Sequence, residues 1–473
     1  MLIGRNKESE ELVKYTQSGK AEFIAIYGRR RVGKTYLVSQ LFKGKLAFSM
    51  SGIIDGETSE QMEAFVQALE FAGYKFSKIP TNWLKAFAEL RKFLQPKVDS
   101  GEPCIVFLDE IPCLDTQRSG FIRALGHFWN SWASLQNNLK LIVCGSATTW
   151  MIKNIIDSKG GLHNRVTHEM PLHPFCLHEV EEYLNHSHFA WGRHTILQTY
   201  MVMGGIPYYL SLLQPQESLA ENLDRLFFSQ DAPLRREYQR LYKTLFNASE
   251  PYMKIVQTLA SNKQGLTRQE LAAKTKISGK TLTEKLNNLQ NCDLTRHYYI
   301  KEKKIKKTGG IYQLIDFFSL FYLTFADKGL GDERYWTHHL LSPELNNWYG
   351  LCFERICITH IKQIKRALHL DAMATQTYSW RSKKSKDKGA QIDIIIDRAD
   401  KMINVCEVKY CQGPYSLDKA EYEKLLNRMQ TFAHETETRN GLYLTMITTE
   451  GMAEGKYANN IVSQIVLDDI FAL

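Results

Sequence analysis

An α/β fold organised on a parallel sheet is predicted by three stretches of the 473-residue chain. Ile24–Leu41 reads IAIYGRRRVGKTYLVSQL, Pro103–Glu110 reads PCIVFLDE, and Leu139–Cys144 reads LKLIVC. Each contains a continuous apolar run of strand length, the form of a strand buried on both faces. Between them, Glu60–Phe71 and Trp83–Leu94 repeat apolar residues at helical spacing. Leu2–Gly19 reads as a lead-in with a short helix, and Leu46–Met50 as a further strand.

The first stretch carries the most chemistry. Gly28–Thr35 is GRRRVGKT, a full G-x-x-x-x-G-K-[ST] match. Phe23–Tyr27 supplies the preceding strand. Gly28 and Gly33 stand where the backbone must turn sharply and leave N–H groups facing a phosphate, with Arg29, Arg30, Arg31 and Val32 completing the loop. Lys34 offers a point charge to the β- and γ-phosphates, and the Thr35 hydroxyl is a ligand for Mg²⁺. Tyr36–Phe42 reads as a helix whose N-terminal dipole faces the anion. ATP and Mg²⁺ are therefore the expected cofactors.

In PCIVFLDE an apolar strand ends in two acids. Asp109 is expected to bind Mg²⁺, and Glu110 to orient and deprotonate the attacking water. Leu139–Cys144 is followed by Gly145-Ser146-Ala147-Thr148-Thr149, where Ser146 first and Thr148 second are candidates to reach the γ-phosphate or the water. Arg165, before the short strand Val166–Met170, is a candidate to neutralise transferred phosphate.

Length, charge and cysteine usage bound the rest. A chain this long exceeds one core and suggests about three domains. Apolar residues make up 44% and charged residues 23%, as in globular proteins. There is no apolar run of about 18 residues, so no membrane partner is expected. The opening MLIGRNKESEELV turns charged too early for a secretory signal. Nine cysteines scattered through apolar segments fit a reducing, cytoplasmic setting better than a disulfide framework. A net charge of +9 is a mild bias towards polyanions.

From about 176 to 245 three amphipathic helices are expected, His178–Leu184, Thr195–Met203 and Leu219–Phe228, broken by Gly204-Gly205-Ile206-Pro207. From 246 to 327, Thr267–Lys274 opens on a capping box of Thr267 and Glu270. A turn, the helix Lys280–Leu289 and the strands Leu294–Lys301 and Gly310–Leu314 complete a winged-helix pattern. DNA binding would place Lys280–Asn288 in a groove and the basic run KEKKIKK (Lys301–Lys307) on phosphates.

Between 336 and 473, Gln391–Ile396 (QIDIII) and Ile403–Tyr410 (INVCEVKY) read as paired strands. A hairpin centred near Asp400 sets Asp393 opposite Glu407 on one face, with Lys409 two residues on and so on the same face. Two opposed carboxylates repel unless a cation lies between them. Asp393 and Glu407 are therefore expected to hold Mg²⁺ for phosphodiester hydrolysis, with Lys409 positioning the water. Glu354, on the helix Trp348–Ile361, offers a third carboxylate. The basic loop Arg381–Lys388 (RSKKSKDK) suits a nucleic-acid backbone.

Five segments together carry a resemblance: IGR-x-x-E at the start, GRRRVGKT, LDEI, CGSATTWM and GGIPYYL. The chain resembles the archaeal-type ATPase family, widespread in archaea and bacteria and related to the signal-transducing ATPases with numerous domains. The resemblance implies a P-loop core with an additional-strand sheet (1–175) and a helical lid (176–245) in which Pro207 lies near the adenine. The pattern E…D…E-x-K likewise resembles the PD-(D/E)XK nuclease superfamily, to which the family's C-terminal region is similar. Two positions depart from the pattern. His163-Asn164 precedes Arg165 where a small residue is commoner, and Gln391 stands where an acid is frequent. The expected function is an ATPase coupling nucleotide state to a C-terminal nucleic-acid-binding or Mg²⁺-dependent nuclease domain. The rival is an ATP-dependent signalling switch with a non-catalytic C-terminal module. The expected partners are nucleic acid, DNA foremost, and a further copy of the chain or another protein.

Overall fold

The computed structural model describes residues 2–246, 248–298, 310–329, 331–382 and 391–472, and the chain divides into two compact units. The first runs to Pro174 and takes in Ile206–Tyr208 and a segment beginning at Lys243; the second holds the remainder from Phe175 onwards. Among the described residues no helix is long and apolar enough to cross a membrane.

In the first unit β1 (Glu22–Tyr27), β2 (Leu46–Ser51), β3 (Cys104–Asp109), β4 (Leu139–Gly145) and β5 (His168–Pro171) form one sheet in the order β2-β3-β4-β1-β5. Every pairing is parallel. β3 and β4 are buried at every position, as the continuous apolar runs require. Parallel neighbours need crossovers, and the helices Lys34–Leu41, Thr58–Phe71, Trp83–Asp99 and Phe121–Ser131 stand between the strands. Their apolar stripes meet in one core, where Trp83 lies edge-on to Phe121 with centroids 4.9 Å apart. The helix expected to end at Leu94 continues through Pro96 to Asp99, because Val98 is still buried in that core. With all strands parallel, the C-terminal ends of β1, β3 and β4 open on one edge.

The stretches 176–245, 246–327 and 336–473, expected as a helical lid, a winged helix and a C-terminal domain, lie almost wholly in one compact unit. The cause is the aromatic run that follows Asp316. Phe318 packs on Tyr209, Phe321 on Phe227 and Trp336, and Phe325 on Trp348. These partners come from all three stretches, and their rings are buried. Separating them would expose several aromatic side chains at about 1.5–3 kcal/mol each.

Within this unit the helices Ser249–Ala260, Arg268–Thr275 and Gly279–Asn291 accompany a small antiparallel sheet. Its strands β6 (Leu266–Thr267), β7 (Thr295–Tyr298) and β8 (Ile311–Leu314) lie in the order β6-β8-β7. The expected capping box is present: Glu270 N–H donates to Thr267 Oγ1 at 3.2 Å and Thr267 N–H to Glu270 Oε2 at 2.7 Å. The basic run Lys301–Lys307 lies outside the described residues.

The last sheet comprises β9 (Thr375–Arg381), β10 (Gln391–Arg398), β11 (Met402–Lys409), β12 (Gly441–Thr448) and β13 (Ser463–Ile465), in the order β13-β12-β11-β10-β9. β9, β10 and β11 are antiparallel, whereas β11, β12 and β13 are parallel. The helix Lys419–Thr436 is the crossover from β11 to β12. Of the basic loop Arg381–Lys388, residues 383–388 lie outside the described residues.

His360, just beyond the helix Pro343–Thr359, is buried in the second unit. Its Nδ1 donates to Ile356 O at 3.0 Å, and its Nε2 accepts the Leu177 N–H at 3.1 Å. Only the neutral ring makes both bonds. Burial lowers its pKa from 6.5 to about 4. Between those values the unfolded chain binds a proton that the folded chain does not. The stabilisation is therefore present above pH 6.5 and lost as pH falls towards 4. Wild-type stability to urea should fall more steeply over this window than that of His360→Gln. Equal slopes would remove His360 from the acid response.

Candidate functional site

At the open edge of the first sheet, β1 hands over to the loop 28–33. A Cβ at residue 28 would stand 2.2 Å from the Leu172 carbonyl oxygen, so the chain passes there only as glycine. Gly33 takes φ +92° at the N-cap of the Lys34–Leu41 helix, a conformation that side-chain-bearing residues disfavour. Lys34 Nζ donates to the carbonyls of Gly28 and Arg29 at 2.8 and 3.0 Å. Thr35 Oγ1 donates to Asp109 Oδ2 at 2.7 Å. Asp109 Oδ1 is buried and has no hydrogen-bond partner among the described residues. Burial raises the Asp109 pKa, the Thr35 hydroxyl opposes this, and the Glu110 charge adds to it. A bare carboxylate oxygen beside a threonine hydroxyl is donor chemistry suited to a hard divalent cation, so these residues fit Mg²⁺.

Glu110 adopts φ +46°, ψ +46°, a left-handed conformation that costs about 1 kcal/mol or more outside glycine. Its Oε2 accepts both the N–H and the Oγ–H of Ser146, at 3.0 and 2.8 Å. Ser146, expected to face phosphate, thus grips Glu110. Thr148 Oγ1 is buried beside it without a hydrogen-bond partner among the described residues. Arg165 is not brought to this edge. β5 runs parallel to β1 from the pair Ile24–His168, and Thr167 N–H donates to Phe23 O. Arg165, exposed and earlier still, therefore lies towards the opposite edge of the sheet from Gly28.

The loop's arginines turn their side chains to protein. Arg29 is buried, Arg30 Nη1 donates to Thr244 Oγ1 at 2.8 Å, and the Arg31 guanidinium lies 4.0 Å from the Tyr208 ring centroid. Pro207 immediately precedes that tyrosine, which brings it towards the loop. Arg5, of the opening IGR, donates to Val32 O at 3.1 Å and His173 O at 2.6 Å. Motif spacing marked these positions but not the segments they fasten.

A second constellation lies in the other unit. β10 and β11 pair Ile394 with Cys406 and Asp397 with Ile403, so the next pair outward is Asp393 and Glu407. This is the register expected from a turn centred at Asp400. Along β11 the residues Ile403, Val405, Glu407 and Lys409 share one face. The first two pack in a cluster with Phe432 of the Lys419–Thr436 helix. The last two emerge from that cluster and, with Glu354, Gln391, Asp393 and Arg428, line a cavity of about 540 Å³. Glu354 is pushed up to about 8, first by burial and then by the charges of Asp393 and Glu407. Asp393 is also raised by burial, against a 2.6 Å bond from Gln391 Nε2 to its Oδ1. Gln391 thus serves Asp393 as a donor.

Glu407 is already occupied. Its Oε1 lies 3.0 Å from Lys409 Nζ and its Oε2 2.8 Å from Arg428 Nη1. Burial disfavours the Lys409 charge, but Glu407 and Glu421 overcome this and hold its ammonium above the usual range. Three carboxylates facing one cavity suit a divalent cation in kind. As arranged, no group of three acidic, histidine or cysteine residues among the described residues is placed to hold a metal ion. Arg428 and Glu421 carried no sequence signal, since nothing in a surface-helix pattern says which strand it covers.

Residues 2–213 match the family of ATPase domains predominantly from Archaea. Residues 320–425 match a family described as archaeal and bacterial proteins of unknown function. An uncharacterized protein of Methanocaldococcus jannaschii is 23% identical over 414 residues, covering 87% of this chain and 88% of its own length. An uncharacterized ATP-binding protein of the same organism is 42% identical over 45 residues, 10% of this chain and 76% of its own. The Walker-type ATPase of Pyrococcus abyssi superposes with a TM-score of 0.45 at 18% identity, covering 68% of this chain and 96% of its own. Through the segment bearing Gly28–Thr35, Asp109 and Glu110, the chain belongs to the predominantly archaeal ATPase-domain family, and its 320–425 segment matches the second family.

Proposed function

We propose that this protein binds and hydrolyses ATP and that its nucleotide state governs a metal-dependent phosphodiesterase site for nucleic acid in the second unit. The observation that carries the second half is the meeting of Glu354, Asp393, Glu407 and Lys409 at one cavity.

At the first site, bound Mg²⁺ supplies charge neutralisation at the phosphates. Lys34 exchanges the carbonyls of Gly28 and Arg29 for the β- and γ-phosphates, and the loop's N–H groups receive their oxygens. Thr35 and the bare oxygen of Asp109 hold the cation. Glu110, once it turns from Ser146, orients the water and takes its proton. At the second site a divalent cation would supply Lewis acidity. Asp393, Glu407 and Glu354 would hold it only if Glu407 turned from Lys409 and Arg428, and Lys409 would then position the water or meet charge developing on the phosphate. The helix pair Arg268–Thr275 and Gly279–Asn291 with its antiparallel strands supports a winged-helix reading, in which exposed Lys280 and Asn287 would face a duplex groove.

The rival reading, a nucleotide-dependent switch with a non-catalytic C-terminal module, is favoured by one observation: both oxygens of Glu407 are bound to internal cations.

Two measurements test the proposal, and the second separates it from the switch. Glu110→Gln should bind ATP normally and hydrolyse it about 100-fold more slowly, within the range expected for loss of a general base. Unchanged turnover would remove Glu110 from that role. With Mn²⁺ or Mg²⁺, single- and double-stranded DNA and RNA should be tested with and without ATP. Asp393→Asn should lose cleavage by about 100-fold or more while ATP turnover stays within about twofold, because the residues of the two sites lie in separate compact units. A wild-type chain that turns over ATP yet cleaves none of these polymers would establish the switch instead.

A further inference from the structure

The connection from β2 to the helix Thr58–Phe71 runs beside the two acids that end β3. Gly52 N–H donates to Asp109 O at 2.9 Å, and the Thr58 and Thr116 hydroxyls share a hydrogen bond. Between those two ties the chain touches Glu110 itself. A Cβ at residue 52 would stand 2.6 Å from the Glu110 carbonyl oxygen and 2.9 Å from Cys113 Cβ. The same carbonyl accepts the Cys113 N–H at 2.9 Å. The Glu110 peptide is therefore bounded by Gly52 and by the turn to Cys113.

A side chain from the helix fixes this connection. Gln61 is fully buried, and its amide pairs with the Ile53 peptide much as a neighbouring strand would. Gln61 Oε1 accepts the Ile53 N–H at 2.9 Å, and Gln61 Nε2 donates to Ile53 O at 2.7 Å and to Gly56 O at 3.3 Å. A buried amide is costly unless it is hydrogen-bonded, and all of these bonds go to the one connection. Ile53, Ile54 and Asp55 are exposed, so the Gln61 amide rather than packing holds the segment.

Glu110 needs that support. Its backbone is left-handed, and Ser146 aims its carboxylate only while the two stay bonded. Once the carboxylate turns to a water, the backbone alone sets its direction. We infer that Gln61 is a positioning residue for ATP hydrolysis, holding the Glu110 peptide through Ile53 and Gly52 so that the carboxylate meets the attacking water. The inference rests on the reading of Glu110 as the base. Gln61 acts at a distance from the chemistry, since its amide is buried and engaged with backbone. Misplacing a reacting group by about 1 Å lowers a rate by up to about 100-fold, so a small shift of one peptide is enough.

Steady-state ATP turnover and calorimetric ADP affinity of the full chain test this. Gln61→Leu removes the three bonds. Gly52→Ala drives a methyl group towards Glu110 O and leaves Gln61 in place. Gly52 is not among the residues at positive φ, so alanine there adds bulk without backbone strain. Each variant should lower kcat about tenfold while the Kd for ADP stays within about twofold, the split expected of an effect on the chemical step alone. Placed in Glu110→Gln, neither should lower the remaining turnover further, because the group they aim is gone. The two variants disturb one peptide from opposite ends, so either one that folds decides the matter. Wild-type kcat in a folded variant, a matching loss of ADP affinity, or a further loss in the Glu110→Gln background would overturn the role of Gln61 and leave Glu110 as the base. Wild-type turnover in Glu110→Gln alone would overturn both.

Discussion

A carboxylate taken out of water needs a cation or enough donors, and both candidate sites are arranged around that need. Asp109 sits at the end of a strand buried at every position, with one oxygen served by Thr35 and the other bare. Glu354, Asp393 and Glu407 face one cavity, and their repulsion is relieved by Lys409, Arg428 and Gln391. The first site keeps an oxygen open for an incoming ion. The second covers Glu407 with internal charge from Lys409 and Arg428. The same electrostatic requirement thus yields one site poised for a cation and one closed by protein side chains.

The phosphate loop of the first unit also has a structural task. Its backbone is committed to a tight turn by Gly28 against Leu172 O. Its side chains reach outward, Arg30 to Thr244 and Arg31 to Tyr208, while Arg5 braces it through Val32 O. The segments that return to this unit are therefore fastened to the loop that would meet nucleotide. Ser146 on Glu110 is a comparable economy, since one hydroxyl and one N–H fix the acid in a backbone conformation that is otherwise unfavourable.

Much was legible in the chain because it rests on local rules. A continuous apolar run of four or five residues makes a strand buried on two faces, and β1, β3 and β4 appear where such runs stand. The G-x-x-x-x-G-K-[ST] spacing is itself a backbone geometry, so Gly28, Gly33, Lys34 and Thr35 needed only their order. The side-chain period of a strand is two, which is why the opposition of Asp393 and Glu407 with Lys409 alongside followed from a turn centre alone.

What the tertiary structure decided concerns partners remote in sequence. Arg165 reads as a phosphate ligand, yet the parallel pairing of β5 with β1 leaves it towards the far edge of the sheet. Ser146 reads as a phosphate sensor, yet the turn after β3 brings Glu110 to its hydroxyl first. The three stretches from 176 onwards are joined in one unit because rings from all three share a core around Phe318, Phe321 and Phe325. Arg428 and Glu421 became part of the acid site only because the crossover helix covers the face of β11 that carries Ile403 and Val405. The sequence by itself determined which residues form strands, turns and charged edges, since those depend on neighbours within a few residues. Which charge faces which depends on how the elements pack, and packing is set by the shape of the whole core.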